Sequence, residues 1–230
     1  TFSDGKLTTG IKDSRVREVF CEFCRNGAPE EIMISALPHI GTDKLKGVVK
    51  SLREKVISLG GEFRFETKLT DIIIYNGSVQ GVTLTEKNGK TYDYETDTVI
   101  LAIGHSARDT VEMLYNKGVP MLQKPFSVGA RIEHKREMIN ESQYGKFANH
   151  PRLGAASYKL ACHPQGGRGA YTFCMCPGGT VVCASSEKNT VVTNGMSEYA
   201  RDKENSNCAV LVGISPEDFN SDHPLAGMYM

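Results

Sequence analysis

The stretch RGAYTFCMCPGG (Arg168–Gly179) sets two cysteines two residues apart. On a strand, Cys174 and Cys176 would share one face. Thiols so placed can form a redox pair, ligate a metal, or fill space as small apolar side chains. A C-x-C with no second C-x-C or H-x-H nearby is poor zinc evidence, and no metal site is expected. The pair Cys21 and Cys24 in CEFC has disulfide-oxidoreductase spacing, but it falls inside a helical pattern rather than at its start. Core packing is the expectation there. His39, in PHIGTD, stands just ahead of a helix, and His105 directly follows Gly104. Either ring can shuttle a proton or simply satisfy backbone where a helix begins. His39, His105, Cys174 and Cys176 are therefore the candidate catalytic residues.

A second kind of chemistry is binding. FSDGKLTT (Phe2–Thr9) packs a hydroxyl, a carboxylate, a glycine and an ammonium into Ser3, Asp4, Gly5 and Lys6. Asp-Gly is ordinary turn chemistry, yet such a loop can also offer backbone amides and a cation to an anionic group. TDTVILAIGHSARDT (Thr96–Thr110) reads strand, glycine, helix. A side chain at Gly104 would occupy space near a bound nucleotide, and a helix start at Ser106 favours anions. Gly104, His105 and Ser106 join Ser3, Asp4, Gly5 and Lys6 as candidate cofactor-binding residues. No G-x-G-x-x-G phosphate cradle follows a first strand, and no P-loop, nucleophile elbow or H-E-x-x-H occurs. Arg131, Lys159 and Arg168 can hold an anionic substrate or serve as surface charges.

The elements that would carry these residues follow from periodicity. SRVREVFCEFCRNGA reads as a helix through Val16, Val19, Phe20, Phe23 and Cys24, and EEIMIS as a short strand. The clearest helix is 42–59, capped by Thr42 or Asp43, with Leu45, Val48, Val49, Leu52, Val56, Ile57 and Leu59 as the buried stripe. Strands are expected over 62–66 and then in a meander to residue 97, whose turns YNGS and KNGK both carry Asn-Gly. TVILAI (98–103) reads as a strand buried on both faces. A helix follows, with Ser106 as N-cap, Asp109 at its third position and Gly118 as its stop. Beyond Lys124–Pro125 the texture changes: FSVGARIEH as strand, KREMINESQYG as helix, then short strands GAYTFCMC, GTVVCASSE and NCAVLVGIS in glycine-rich loops.

Bulk properties narrow the function classes. Among 230 residues, 27 Lys plus Arg balance 27 Asp plus Glu, so no net field recommends nucleic acid or an anionic membrane. No apolar run approaches the ~20 residues of a membrane-spanning helix. Seven cysteines without a disulfide-scaffold pattern favour a reducing, cytoplasmic setting. Both ends read as cut from a longer protein.

Six blocks, TFSDGKLTT, PHIGTDKL, LAIGHSARDT, KPFSVGARIEH, GRGAYTFCMCPGGTVV and VVTNGMSEYARD, resemble a bacterial family of FAD-dependent dehydrogenase-like proteins, often labelled NAD-utilising dehydrogenases, among the two-dinucleotide-binding-domain flavoproteins. The resemblance runs nearly end to end. It implies an α/β fold, with a partial Rossmann-like FAD domain and its antiparallel meander over 1–124. An α+β substrate-side domain would occupy 125–230. It implies FAD as cofactor, NAD(P)H as electron donor, hydride transfer through flavin N5, and a small-molecule substrate it does not name. It also implies that the glycine cradle lies upstream of this fragment, so that the fragment alone holds FAD weakly and exposes a face open to artificial dimerisation. Lys6 would then steady negative charge on reduced flavin, and the C-x-C segment would face the flavin. Two other readings stay open: a protein that binds FAD or another nucleotide without turnover, and a cysteine-based redox or metal site.

Overall fold

The computed structural model describes residues 4–230, so Ser3, one of the candidate binding residues, lies outside the described residues. In chain order the elements are α1 (Arg15–Arg25), α2 (Thr42–Ser58), β1 (Thr67–Tyr75), β2 (Ser78–Glu86), β3 (Thr91–Glu95), α3 (Arg108–Asn116), β4 (Phe126–Lys135), α4 (Arg136–Tyr144), β5 (Ala161–Cys162), β6 (Ala170–Cys176), β7 (Gly179–Cys183), β8 (Thr193–Ser197), β9 (Asn205–Ile214) and α5 (Ala226–Tyr229). Short 3-10 turns interrupt the connections. The chain is a mixture of helices and antiparallel sheet. It forms two compact units: residues up to Glu62 with Ser127–Gly213, and Phe63–Phe126 with Ile214–Met230.

In the first unit, α1 and α2 pack around Ala28, Ile32, Ile40 and Val48, with Phe20, Phe23, Cys24, Leu45 and Leu52 against them. The apolar stripe of α2 is shorter than its sequence suggests. Val49, Val56, Ile57 and Leu59 are exposed, because only the face centred on Val48 meets a neighbour. Neither Thr42 nor Asp43 caps the helix; the N-cap is Gly41. Both side chains are turned to other work described below. EEIMIS is not a strand. Pro29 starts a 3-10 turn over Glu30–Met33, which buries Ile32. The remaining strands make a four-stranded sheet in the order β4-β9-β6-β5 and a two-stranded β7-β8 ribbon.

The second unit is built on the β1-β2-β3 meander. Asn76 and Gly77 both take positive φ, 50° and 76°, the geometry an Asn-Gly hairpin turn requires. Ile72 and Val82 pair across β1 and β2 and bury against Leu114 of α3. The C-terminal segment returns to this unit, with Gln123 Nε2 donating to the carbonyls of Ser221 (2.6 Å) and His223 (2.8 Å).

Three expectations fail here. Residues 62–66 are loop, not strand. TVILAI is not a strand either, and Ile100 is 88% exposed. A strand needs a neighbour for its amides, and among the described residues no strand pairs with 98–103. Finally, α3 starts after Ala107, so Ser106 is not its cap and Asp109 is its second residue. Asp109 Oδ1 accepts the Thr110 N–H at 2.8 Å, and its carboxylate pairs with Lys68.

Candidate functional site

The FSDGK and PHIGTD segments meet. Lys6 and His39 form an antiparallel bridge. The Ile40 N–H donates to the Gly5 carbonyl (3.0 Å), Gly41 N–H to Asp4 (2.9 Å) and Leu7 N–H to Pro38 (3.0 Å). This short ladder fixes Asp4, Gly5 and Lys6 beside the start of α2. Thr42 Oγ1 then donates to the Ser197 carbonyl at 3.2 Å, and Asp43 Oδ1 accepts the Tyr199 N–H at 2.8 Å. That is the work for which both gave up capping: they tie α2 to the end of β8 and the loop after it. Gly41 has φ +93°, and a Cβ there would collide with the Tyr199 backbone nitrogen.

The C-x-C segment forms the other wall. From Phe173 to Cys176 the register advances three residues along β6 but only two along β9, where the partners are Ala209 and Asn207. One extra residue is therefore bulged out. Cys174 sits in it at φ +47°, a conformation that costs a non-glycine residue on the order of 1 kcal/mol. The shared face expected of a regular strand is thus not how the two thiols come together. They converge on a lysine instead: Lys6 Nζ lies 3.1 Å from Cys176 Sγ and 3.9 Å from Cys174 Sγ. Lys6 also pairs with Asp4, whose residue is 6% exposed. Asp4 Oδ2 in turn stands 3.8 Å from Cys176 Sγ.

The site is completed by groups that motif reading missed or misassigned. Arg131, considered above as an anion holder or a surface charge, donates from Nη1 to the Cys174 carbonyl (3.2 Å) and to Asn207 Oδ1 (2.8 Å). Asn207 is wholly buried. Gly195 on β8 leaves room for this packing; a Cβ there would come within 2.6 Å of Cys176 Sγ. Gly178 has φ +50°, and a Cβ on it would overlap the Arg201 carbonyl. Arg201 is half-buried, and its buried Nε has no hydrogen-bond partner among the described residues. Nothing in the type of Arg201 signals this placement, although its block, SEYARD, carries part of the family resemblance.

Electrostatics follow from burial and these neighbours. Burial lowers the Lys6 pKa, but Cys176 and then Asp4 more than offset it, so Lys6 stays charged. The Cys174 thiol is held well below its ordinary range, first by a hydrogen bond from Cys176, then by Lys6 and Arg131, against burial and Asp4. Cys176 is pushed the other way by the same hydrogen bond and by burial. Burial, then the charge of Arg201, depress His39 to about 4 despite Asp4 and a hydrogen bond with the Ser197 backbone. Its Nε2 is buried without a partner among the described residues.

The other candidates lie elsewhere. Gly104, His105 and Ser106 belong to the second unit and are exposed. Ser106 Oγ is 3.4 Å from His105 Nε2. Gly104 has φ +69° with open space where a Cβ would stand. Lys159 is exposed, and Arg168 Nη1 donates to the Gly213 carbonyl at 3.1 Å. Cys24 packs in the α1–α2 core, its Sγ 3.7 Å from the Pro29 carbonyl. All seven cysteines are free. Among the described residues no group of three or more His, Cys, Asp or Glu is placed to hold a metal, and no helix is long and apolar enough to cross a membrane.

Comparison with known proteins adds two findings. Residues 125–230 match the family model described as FAD-dependent protein, C-terminal domain-like. Over 228 residues, 99% of its length, the chain is 50% identical to a Clostridium beijerinckii protein described only as an uncharacterized protein. It spans 42% of that relative's length.

Proposed function

We propose that the chain is part of a flavin-dependent oxidoreductase that binds FAD and takes electrons from NAD(P)H. In this reading residues 1–124 are the second, Rossmann-like half of the FAD domain. Residues 125–230 are the substrate-side domain, and the family match that begins at residue 125 supports that division. The observation that carries the reading is the buried cationic cluster. Lys6, from the loop that resembles a flavin-contacting segment, is fixed by Asp4 against the two thiols of the matched domain.

The chain's own residues fit such a cofactor. An ammonium carries three protons, and the Lys6 side chain, with Asp4 and Cys176 as close partners, keeps 26% of its surface open. Gly104 has no Cβ and open space beside it, so a planar or anionic group can approach the backbone. When bound, FAD would supply hydride acceptance at its N5. Lys6 would hold positive charge near the ring, Asp4 would keep that ammonium oriented, and His39 would stay neutral at physiological pH. The exposed Ile100, Leu101 and Ile103 would lie against further elements of a longer chain.

The test is anaerobic titration of the longer Clostridium beijerinckii relative, loaded with FAD, against NADH and NADPH. Loss of flavin absorbance with either nicotinamide supports the oxidoreductase. A loaded flavin that neither reduces would favour a binding protein without turnover.

A further inference from the structure

Two sulfurs of unequal access sit on one ammonium. Cys176 is 0% exposed, whereas Cys174 is partly open. The bulge at Cys174 and the Arg131 hydrogen bond to its carbonyl hold the outer sulfur in place. Cys176 Sγ lies 3.3 Å from the Cys174 carbonyl oxygen, and both sulfurs lie within 4 Å of Lys6 Nζ, so the bulge gathers the two residues at one point. The other five cysteines lack this setting. Cys162 and Cys183 are exposed, Cys21 and Cys24 lie on α1, and Cys208 is buried with its Sγ 3.4 Å from the Phe173 carbonyl.

We propose that Cys174 and Cys176 form a thiol–disulfide exchange centre, in which Cys174 attacks a small-molecule disulfide and Cys176 resolves the product. This goes beyond the flavin reading and does not depend on it. In the first step the Cys174 thiolate forms a bond to one sulfur of the disulfide RSSR. The S–S bond breaks, and RS⁻ leaves and takes a proton from water. In the second step Cys176 gives its proton to Asp4, 3.8 Å away, and its sulfur attacks Cys174 Sγ. The second RS⁻ leaves and takes that proton. The net change is two protein thiols plus RSSR to one internal disulfide plus two RSH. Two electrons pass from the protein to the small disulfide.

The groups facing the reacting sulfurs favour this order. Lys6, Arg131 and the Cys176 thiol stabilise charge on Cys174, while Asp4 and burial oppose it. Arg201 and Lys6 face Cys176, and Cys208 lies near Cys174. An outer thiolate with a protonated inner partner is the arrangement in which attack precedes resolution.

The reduced protein, without flavin, is equilibrated with glutathione and glutathione disulfide, quenched in acid, alkylated and mapped by mass spectrometry. The expected products are a Cys174–Cys176 disulfide in the wild type and a glutathione adduct at Cys174 in Cys176→Ser. In Cys174→Ser, Cys176 carries no adduct. Alkylation of the folded wild type by iodoacetamide at pH 7 should be on the order of tenfold faster at Cys174 than at Cys162 or Cys183. Lys6→Gln should remove that advantage and Lys6→Arg restore it. The proposal is overturned if wild-type Cys174 reacts no faster than Cys162, or if glutathione adducts accumulate on the exposed cysteines with no internal disulfide. Either failure would leave the flavin reading untouched.

Discussion

Lys6 Nζ lies 3.1 Å from Cys176 Sγ although 170 residues separate them along the chain. The contact joins the N-terminal loop to β6, and Asp4 stands on both partners at once. Removing the lysine therefore strands a buried carboxylate. Lys6→Met should cost about 3 kcal/mol of unfolding free energy, as for other buried pairs broken on one side. The double variant Asp4→Asn with Lys6→Met should recover part of that loss. Urea unfolding of the three proteins checks both statements; equal stability of wild type and Lys6→Met would show that the pair is not structural.

His39 gives the fold an acid sensitivity. Burial and Arg201 hold its folded pKa at about 4, against an ordinary value of 6.5. Between those values the unfolded chain binds a proton that the folded chain refuses, so unfolding is favoured as pH falls. Stability should be flat with respect to this group above pH 6.5 and decline from there toward pH 4. His39→Gln should flatten that decline. Melting temperatures of both proteins across that window read the difference, and parallel curves would exclude His39 as the source.

Much of this frame is legible in the sequence. Asn76-Gly77 announced the β1–β2 hairpin, and the spacing around Val48 announced α2. Alternation announced β4, and the C-x-C stretch reads as a strand whose thiols could be a redox pair, metal ligands or packing. What could not be read was distance across the chain. Local pattern cannot say that Lys6 reaches Cys176, that Arg131 serves Asn207 and the Cys174 carbonyl, or that Asp43 accepts from Tyr199. TVILAI misled for the same reason. Its apolar run has strand propensity, but a strand exists only where a neighbour accepts its hydrogen bonds, and none of the described strands does.

Two glycines in the site are held by close backbone. Gly41 at φ +93° faces the Tyr199 nitrogen, and Gly178 at φ +50° faces the Arg201 carbonyl. Alanine at either position adds left-handed strain of about 1–2 kcal/mol and a collision on top of it. Gly41→Ala and Gly178→Ala should each lower Tm by several degrees. Gly213→Ala, where a Cβ meets nothing within 4 Å, should be nearly neutral and serves as the control.

Arg131 and Asn207 make a second buried dependency. Asn207 Nδ2 has no partner among the described residues, so its Oδ1 bond to Arg131 is what offsets its burial. Arg131→Met should cost about 2 kcal/mol by leaving that oxygen unpaired. Arg131→Lys should rescue only partly, because both bonds come from the guanidinium Nη1, a point at which the lysine side chain does not place its nitrogen. Thermal unfolding of the two variants separates these outcomes.

The flavin assignment is tested most directly by a visible absorption spectrum. The 230-residue chain and the longer Clostridium beijerinckii relative are each incubated with FAD and desalted. The account predicts flavin bands that stay with the longer protein and stay weakly or not at all with this chain. Absence of flavin from the longer protein would contradict it.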